Sequence, residues 1–131
     1  MNNERLTQLS EKLLTIPDMI LQHQKGILDL NEKSQLISDE ISQIESALKT
    51  SISAAIDENG KKVYSNAESR EAAFIEQASS HDVLNEKKAD MALVQRAINS
   101  DRIKVEALGN EQRNIRSILN FFSGSESDKL N

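Results

Sequence analysis

A chain of 131 residues is the size of one domain, yet only 37% of it is hydrophobic and 3% aromatic, too little apolar mass for a compact globule and better suited to long helices around a thin core. With no tryptophan and one tyrosine, a deep apolar cofactor pocket or a base-stacking platform has almost nothing to be built from. The net charge of −5 and the absence of cysteine exclude a whole-molecule basic footprint, a disulfide framework, a thiolate nucleophile and a cysteine zinc site.

The opening Met1-Asn2-Asn3-Glu4-Arg5 lacks the basic start and apolar core of a signal peptide, and no apolar run approaches the roughly 20 residues that span a bilayer. The expectation is a cytoplasmic protein with no membrane partner. The first predicted helix covers residues 4–50. Along it Leu6, Leu9, Leu13, Ile16, Ile20, His23, Ile27, Leu30, Ser34, Ile37, Ile41, Ile44 and Leu48 alternate at spacings of three and four, a heptad seam. Eleven of the thirteen are apolar, where composition alone would place about five. Pro17 removes a backbone donor inside this run and predicts either a kink near residues 13–17 or a restart with Thr15 as N-cap. The seam keeps its phase across Pro17, which favours the kink.

Residues 55–65 form the predicted tip. Asn59-Gly60 suits a two-residue type I′ turn, with Ile56 and Val63 pairing across a short β-hairpin or loop. Ser65-Asn66-Ala67-Glu68 then reads as a capping box opening a helix over 66–79. Ser79-Ser80-His81-Asp82 interrupts it and starts a last helix over 82–122. Its seam runs through Leu84, Lys87, Met91, Val94, Ile98, Asp101, Val105, Leu108, Gln112, Ile115, Leu119 and Phe122. Residues 123–131 read as a disordered tail.

Two such seams joined by a tip predict an all-α, long antiparallel helical hairpin, coiled-coil-like, as a single domain over 1–122. With a symmetric tip, Ser34 faces Lys87 and His23 comes within a turn or two of Asp101, so that polar rungs share layers and fix register. Leu14, Leu21 and Leu28 form a second apolar row beside the seam, and Ile118, Phe121 and Phe122 gather near the other end. A helix pair cannot cover both rows. These six residues are the predicted oligomer interface, unless a bend at Pro17 and Gly26 folds a third layer over them.

Catalytic chemistry finds no support. His23 on an apolar rung reads as a register-setting polar group, and His81 beside Asp82 as a cap. The sequence holds no Glu-x-x-His, calcium loop, phosphate loop or nucleophile elbow. No catalytic residue, metal, cofactor or small-molecule substrate is expected. Arg96, Arg102, Lys104, Arg113 and Arg116 on the returning helix, with Lys61 and Lys62 at the tip, read first as a solvated face. Oligomerisation would align them into a denser basic surface.

The order Tyr64-Ser65-Asn66, Arg70, Asp82-Val83-Leu84, a heptad helix and Ile115-Arg116-Ser117-Ile118 resembles small helical proteins carried by phages and mobile elements. More distantly, over about residues 60–122, it resembles the T-even phage recombination mediator proteins, which oligomerise, bind single-stranded DNA and help load a recombinase. The resemblance implies an accessory role in DNA recombination, with Lys61, Lys62, Arg113 and Arg116 as first phosphate contacts and Tyr64, Ser65, Asn66 and Arg70 as the motif. The alternative is a protein-binding adaptor or inhibitor that presents its acidic first helix, through Asp18, Asp29, Glu32, Asp39 and Glu40, to a basic partner. That reading has its own compositional basis, since residues 1–58 carry ten carboxylates against five Lys and Arg.

Overall fold

In a computed structural model that describes residues 2–130, with side chains through residue 124, the protein is all-α. Helix α1 spans Asn3–Ala54, α2 Ala67–Ser79 and α3 Asp82–Leu130. Two compact units divide the chain: Met1–Leu30 with Ala97–Asn131, and Asn31–Arg96. Every rung of both heptad seams is buried or half-buried, so the spacing of threes and fours selects the face that each helix hides.

In the first unit, the start of α1 packs antiparallel on the second half of α3. The side chain of Asn2 accepts the Arg5 amide at 2.8 Å, satisfying one of the unpaired donors at the helix start. Leu9, Ile16 and Ile115 form the core, with Leu13, Ile20, Leu108, Ile118 and Leu119 packed around them. Helix α1 continues through Pro17, so no restart occurs at Thr15. The Thr15 hydroxyl instead donates to the Lys12 carbonyl at 2.9 Å. Pro17 is exposed, where its ring meets solvent rather than the core. Helix α3 also passes Phe122 and extends through Leu130, where composition predicts a disordered tail over 123–131. Gly124 is the weakest helix former in the stretch, and one glycine costs only about 1 kcal/mol against alanine. Asn131 and the side chains of 125–130 lie outside the described residues.

In the second unit, Ile37, Ile52, Ala73, Ala78, Leu84 and Val94 are buried. Among the described residues, extended pairing is confined to one antiparallel bridge between Ile56 and Lys62. The expected type I′ turn does not form, because it needs φ above zero at both central residues and only Gly60 has it, at +77°. Instead the Gly60 amide donates to the Asp57 carbonyl at 3.0 Å and the Asp57 amide to the Lys61 carbonyl at 2.8 Å. The Asp57 carboxylate also accepts the Asn59 and Lys61 amides. That aspartate favours a three-residue loop closed by a left-handed glycine, so Ile56 faces Lys62 rather than Val63.

The cap of α2 is Asn66, one residue later than expected. Its side chain accepts the Ser69 amide at 2.8 Å, and the Ser69 hydroxyl accepts the Asn66 amide at 3.3 Å. Ser65 and Glu68 do not form the box; Asn66 is extended, at φ −132° and ψ 168°, as an N-cap must be. The break before α3 is closed by His81, whose Nδ1 accepts the Leu84 amide at 3.0 Å, and by Asn85, whose side chain donates to the Ser79 carbonyl at 2.9 Å.

Candidate functional site

The polar rungs divide between the two units. In the first, His23 Nδ1 and Asp101 Oδ1 lie 3.2 Å apart, both side chains partly buried. Gly26, one turn beyond His23, makes this approach feasible: a Cβ there would stand 3.3 Å from the other Asp101 carboxylate oxygen. A helix glycine that disfavours helix by about 1 kcal/mol thus clears room for a polar layer. Its chemistry is that of an ion-pair or hydrogen-bond rung that sets register. In the second unit the expected Ser34–Lys87 layer is absent. The Ser34 hydroxyl donates to Met91 Sδ at 3.4 Å, and Lys87 pairs with Glu40. That pairing holds the Lys87 ammonium above its ordinary value of 10.5, through the Glu40 hydrogen bond and then the Glu40 charge, with Asp90 and Glu86 adding to it. The displaced partners follow from the tip. Non-helical residues 63–66 and the break at Ser80–His81 lie on the returning side, so its helices enter the pairing further along the sequence than a symmetric turn would put them.

In the first unit the six expected interface residues do not form one patch. The ion pair between Lys12 and Glu111 marks one edge of the seam. Heptad repetition places Met19 and Gly26 on that edge of α1, and Lys104 and Ile118 on that edge of α3. The opposite edge carries Ser10, Pro17 and Gln24 of α1 with Arg102, Gly109 and Arg116 of α3. Leu14, Leu21 and Leu28 lie just outside this second edge, at 78%, 48% and 64% exposure. Ile118 and Phe122 are half-buried on the seam side. Phe121 is 69% exposed and meets Phe122 edge-on, with centroids 5.3 Å apart. Among the described residues the leucine row is therefore exposed on α1.

The four expected phosphate contacts are all exposed. Lys61 and Lys62 belong to the second unit, Arg113 and Arg116 to the first, and the Arg113 guanidinium donates to Asn110. Of the acidic candidates on α1, Asp18, Asp29, Glu32 and Asp39 are exposed, whereas Glu40 is half-buried and engaged with Lys87.

The motif residues have local roles. Arg70 donates to the Tyr64 carbonyl at 3.4 Å, Asn66 caps α2, and Ser65 is exposed. Arg70 also lines a groove of about 470 Å³ between the end of α1 and α2, with Lys49, Ile52, Ser53, Glu71, Phe74 and Ile75. The Lys49 ammonium stands 4.9 Å from the Phe74 ring centroid, a cation–π contact. Ile52, Phe74 and Ile75 supply its apolar lining, and Lys49 and Arg70 its positive charge against the single negative charge of Glu71. Of these residues only Arg70 was singled out from the sequence. The signal for the others is Phe74-Ile75, apolar residues in a helix too short for its periodicity to show which face is covered.

Among the described residues, no helix is long and apolar enough to cross a membrane, and no group of three or more His, Asp or Glu side chains is placed to hold a metal ion. No protein-family model, curated protein or solved structure matches the chain.

Proposed function

We propose that this protein is a non-catalytic helical module that self-associates and acts by binding other macromolecules. The observation that carries the reading is the leucine row. Leu14, Leu21 and Leu28 recur every seven residues on α1, at 48–78% exposure, whereas other exposed large apolar side chains such as Leu36, Ile75, Leu93 and Ile103 stand singly and form no such row. A heptad apolar row outside an already filled seam is what a further helix packs against. The mass in solution tests it: light scattering gives a mass above the 14.6 kDa monomer that rises with concentration, and Leu21→Glu returns it to the monomer. A wild-type monomer at all concentrations overturns the proposal.

Accessory function in phage or mobile-element DNA recombination is a second reading, favoured by the exposure of Lys61, Lys62, Arg113 and Arg116. It holds that assembly multiplies these cations along a bound single strand. Fluorescence anisotropy of a labelled single-stranded oligonucleotide then shows binding that weakens steeply with salt. Replacing all four by alanine abolishes that binding, and unchanged affinity removes these residues from the reading. Binding of a basic protein through Asp18, Asp29, Glu32 and Asp39 is the alternative, which loss of partner capture on their replacement by asparagine and glutamine would support.

A further inference from the structure

We infer that the occupant of the leucine row is the same row of a second copy of this chain, running antiparallel about a two-fold axis beside Leu21. This rests on the self-association reading and specifies its geometry. The argument comes from what flanks the leucines. On the seam side stand Ser10, Pro17 and Gln24, an uncharged strip in a chain that is 28% charged, as suits residues lying between two packed helices. On the outer side the corresponding row is Glu11, Asp18, Lys25 and Glu32, all exposed.

A two-fold axis joins like surfaces, and in an antiparallel helix pair equivalent flanking rows face each other in reversed order. Centring the axis on Leu21 sets Leu14 against the partner's Leu28 and Leu28 against the partner's Leu14. The same operation brings Asp18 opposite the partner's Lys25, and Lys25 opposite the partner's Asp18. Two opposite-charge pairs then straddle the axis, and two turns further out Glu11 meets the partner's Glu32 as a like-charged pair. A parallel arrangement would instead set all four positions of the row against their like, whereas the antiparallel one places its two opposite-charge pairs nearest the leucine contact, so charge favours the antiparallel register. Three leucines a side fall far short of the 20–30 residues of a standard interface. The dimer is therefore weak and concentration-dependent, and reversing a flanking charge changes its population readily.

Sedimentation velocity over a concentration series tests this with full-length Asp18→Lys, Lys25→Asp and the double swap. All three alter only exposed positions, and unchanged helical circular dichroism checks their folding. Each single reversal is expected to raise the dimer dissociation constant about tenfold, two flanking pairs being made like-charged at once. The double swap restores wild-type association, and an equimolar mixture of the two single variants associates more tightly than either alone. Wild-type association that ignores both single reversals, or a double swap that fails to restore it, overturns the antiparallel register while leaving self-association standing. A wild-type chain that is monomeric throughout overturns both.

Discussion

Two residues separated by one position on α1 make opposite predictions, and their comparison tests the assignment of the packed face. Ile16 is 1% exposed at the centre of the Leu9–Ile16–Ile115 core, whereas Leu14 is 78% exposed. Ile16→Ala removes apolar volume from a site enclosed by two helices, for which a loss of about 3 kcal/mol is expected within the usual 2–5. Only about a fifth of Leu14 is covered, and full burial of a leucine is worth roughly 2 kcal/mol, so Leu14→Ala costs about 0.4 kcal/mol or less. For a chain of this length the first loss lowers Tm by roughly 10 °C and the second by no more than about 2 °C. Thermal and urea unfolding followed by circular dichroism, at a concentration low enough to keep the chain monomeric, reads both. Equal losses at the two positions, or a larger loss at Leu14, would refute the packing derived from the seam.

Asn66→Ala is expected to destabilise the chain by about 1 kcal/mol through the lost cap, while Ser65→Ala stays within about 0.5 kcal/mol in the same urea titration; the reverse order would restore the serine as cap. His23→Leu leaves Asp101 without its partner and costs about 1 kcal/mol, whereas His23→Leu with Asp101→Leu gives a chain more stable than wild type by about 1 kcal/mol. A double variant less stable than the single one would show that the polar layer contributes stability and not only register. The raised Lys87 value means that its pairing with Glu40 stabilises the fold fully below the unfolded value of 10.5, and that this contribution is lost as pH rises through the folded value. A Tm deficit of Glu40→Gln at neutral pH therefore closes in strongly alkaline buffer; a deficit unchanged there would assign the effect to packing instead.

The two helical faces were legible in the sequence. Each rung named from spacing is covered, including the polar His23, Ser34, Lys87, Asp101 and Gln112, because helical periodicity is a local property that one strand of text contains in full. The open leucine row was legible for the same reason, as three residues that the seam does not use. Caps and turns were legible in kind but not in detail. Asn66 and Ser65 are both competent N-caps, and Asp57 competes with Asn59-Gly60 for the choice of turn. The backbone path into α2 settles such choices between near-equal local hydrogen bonds.

Partner choice was decided only by the tertiary structure. A heptad seam slipped by one turn against its partner still buries apolar rungs, so periodicity is almost silent about register. The conformation of residues 57–66 and the break at Ser80–His81 determine how far the returning helices have advanced. From that offset follow Ser34 against Met91 and Lys87 with Glu40. The same packing leaves Ile118 and Phe122 half-buried while Leu14, Leu21 and Leu28 stay exposed. Sequence determined which residues want to be covered, because burial preference belongs to the side chain. Structure decided which of them this chain covers itself, because that depends on the relative placement of helices distant in sequence.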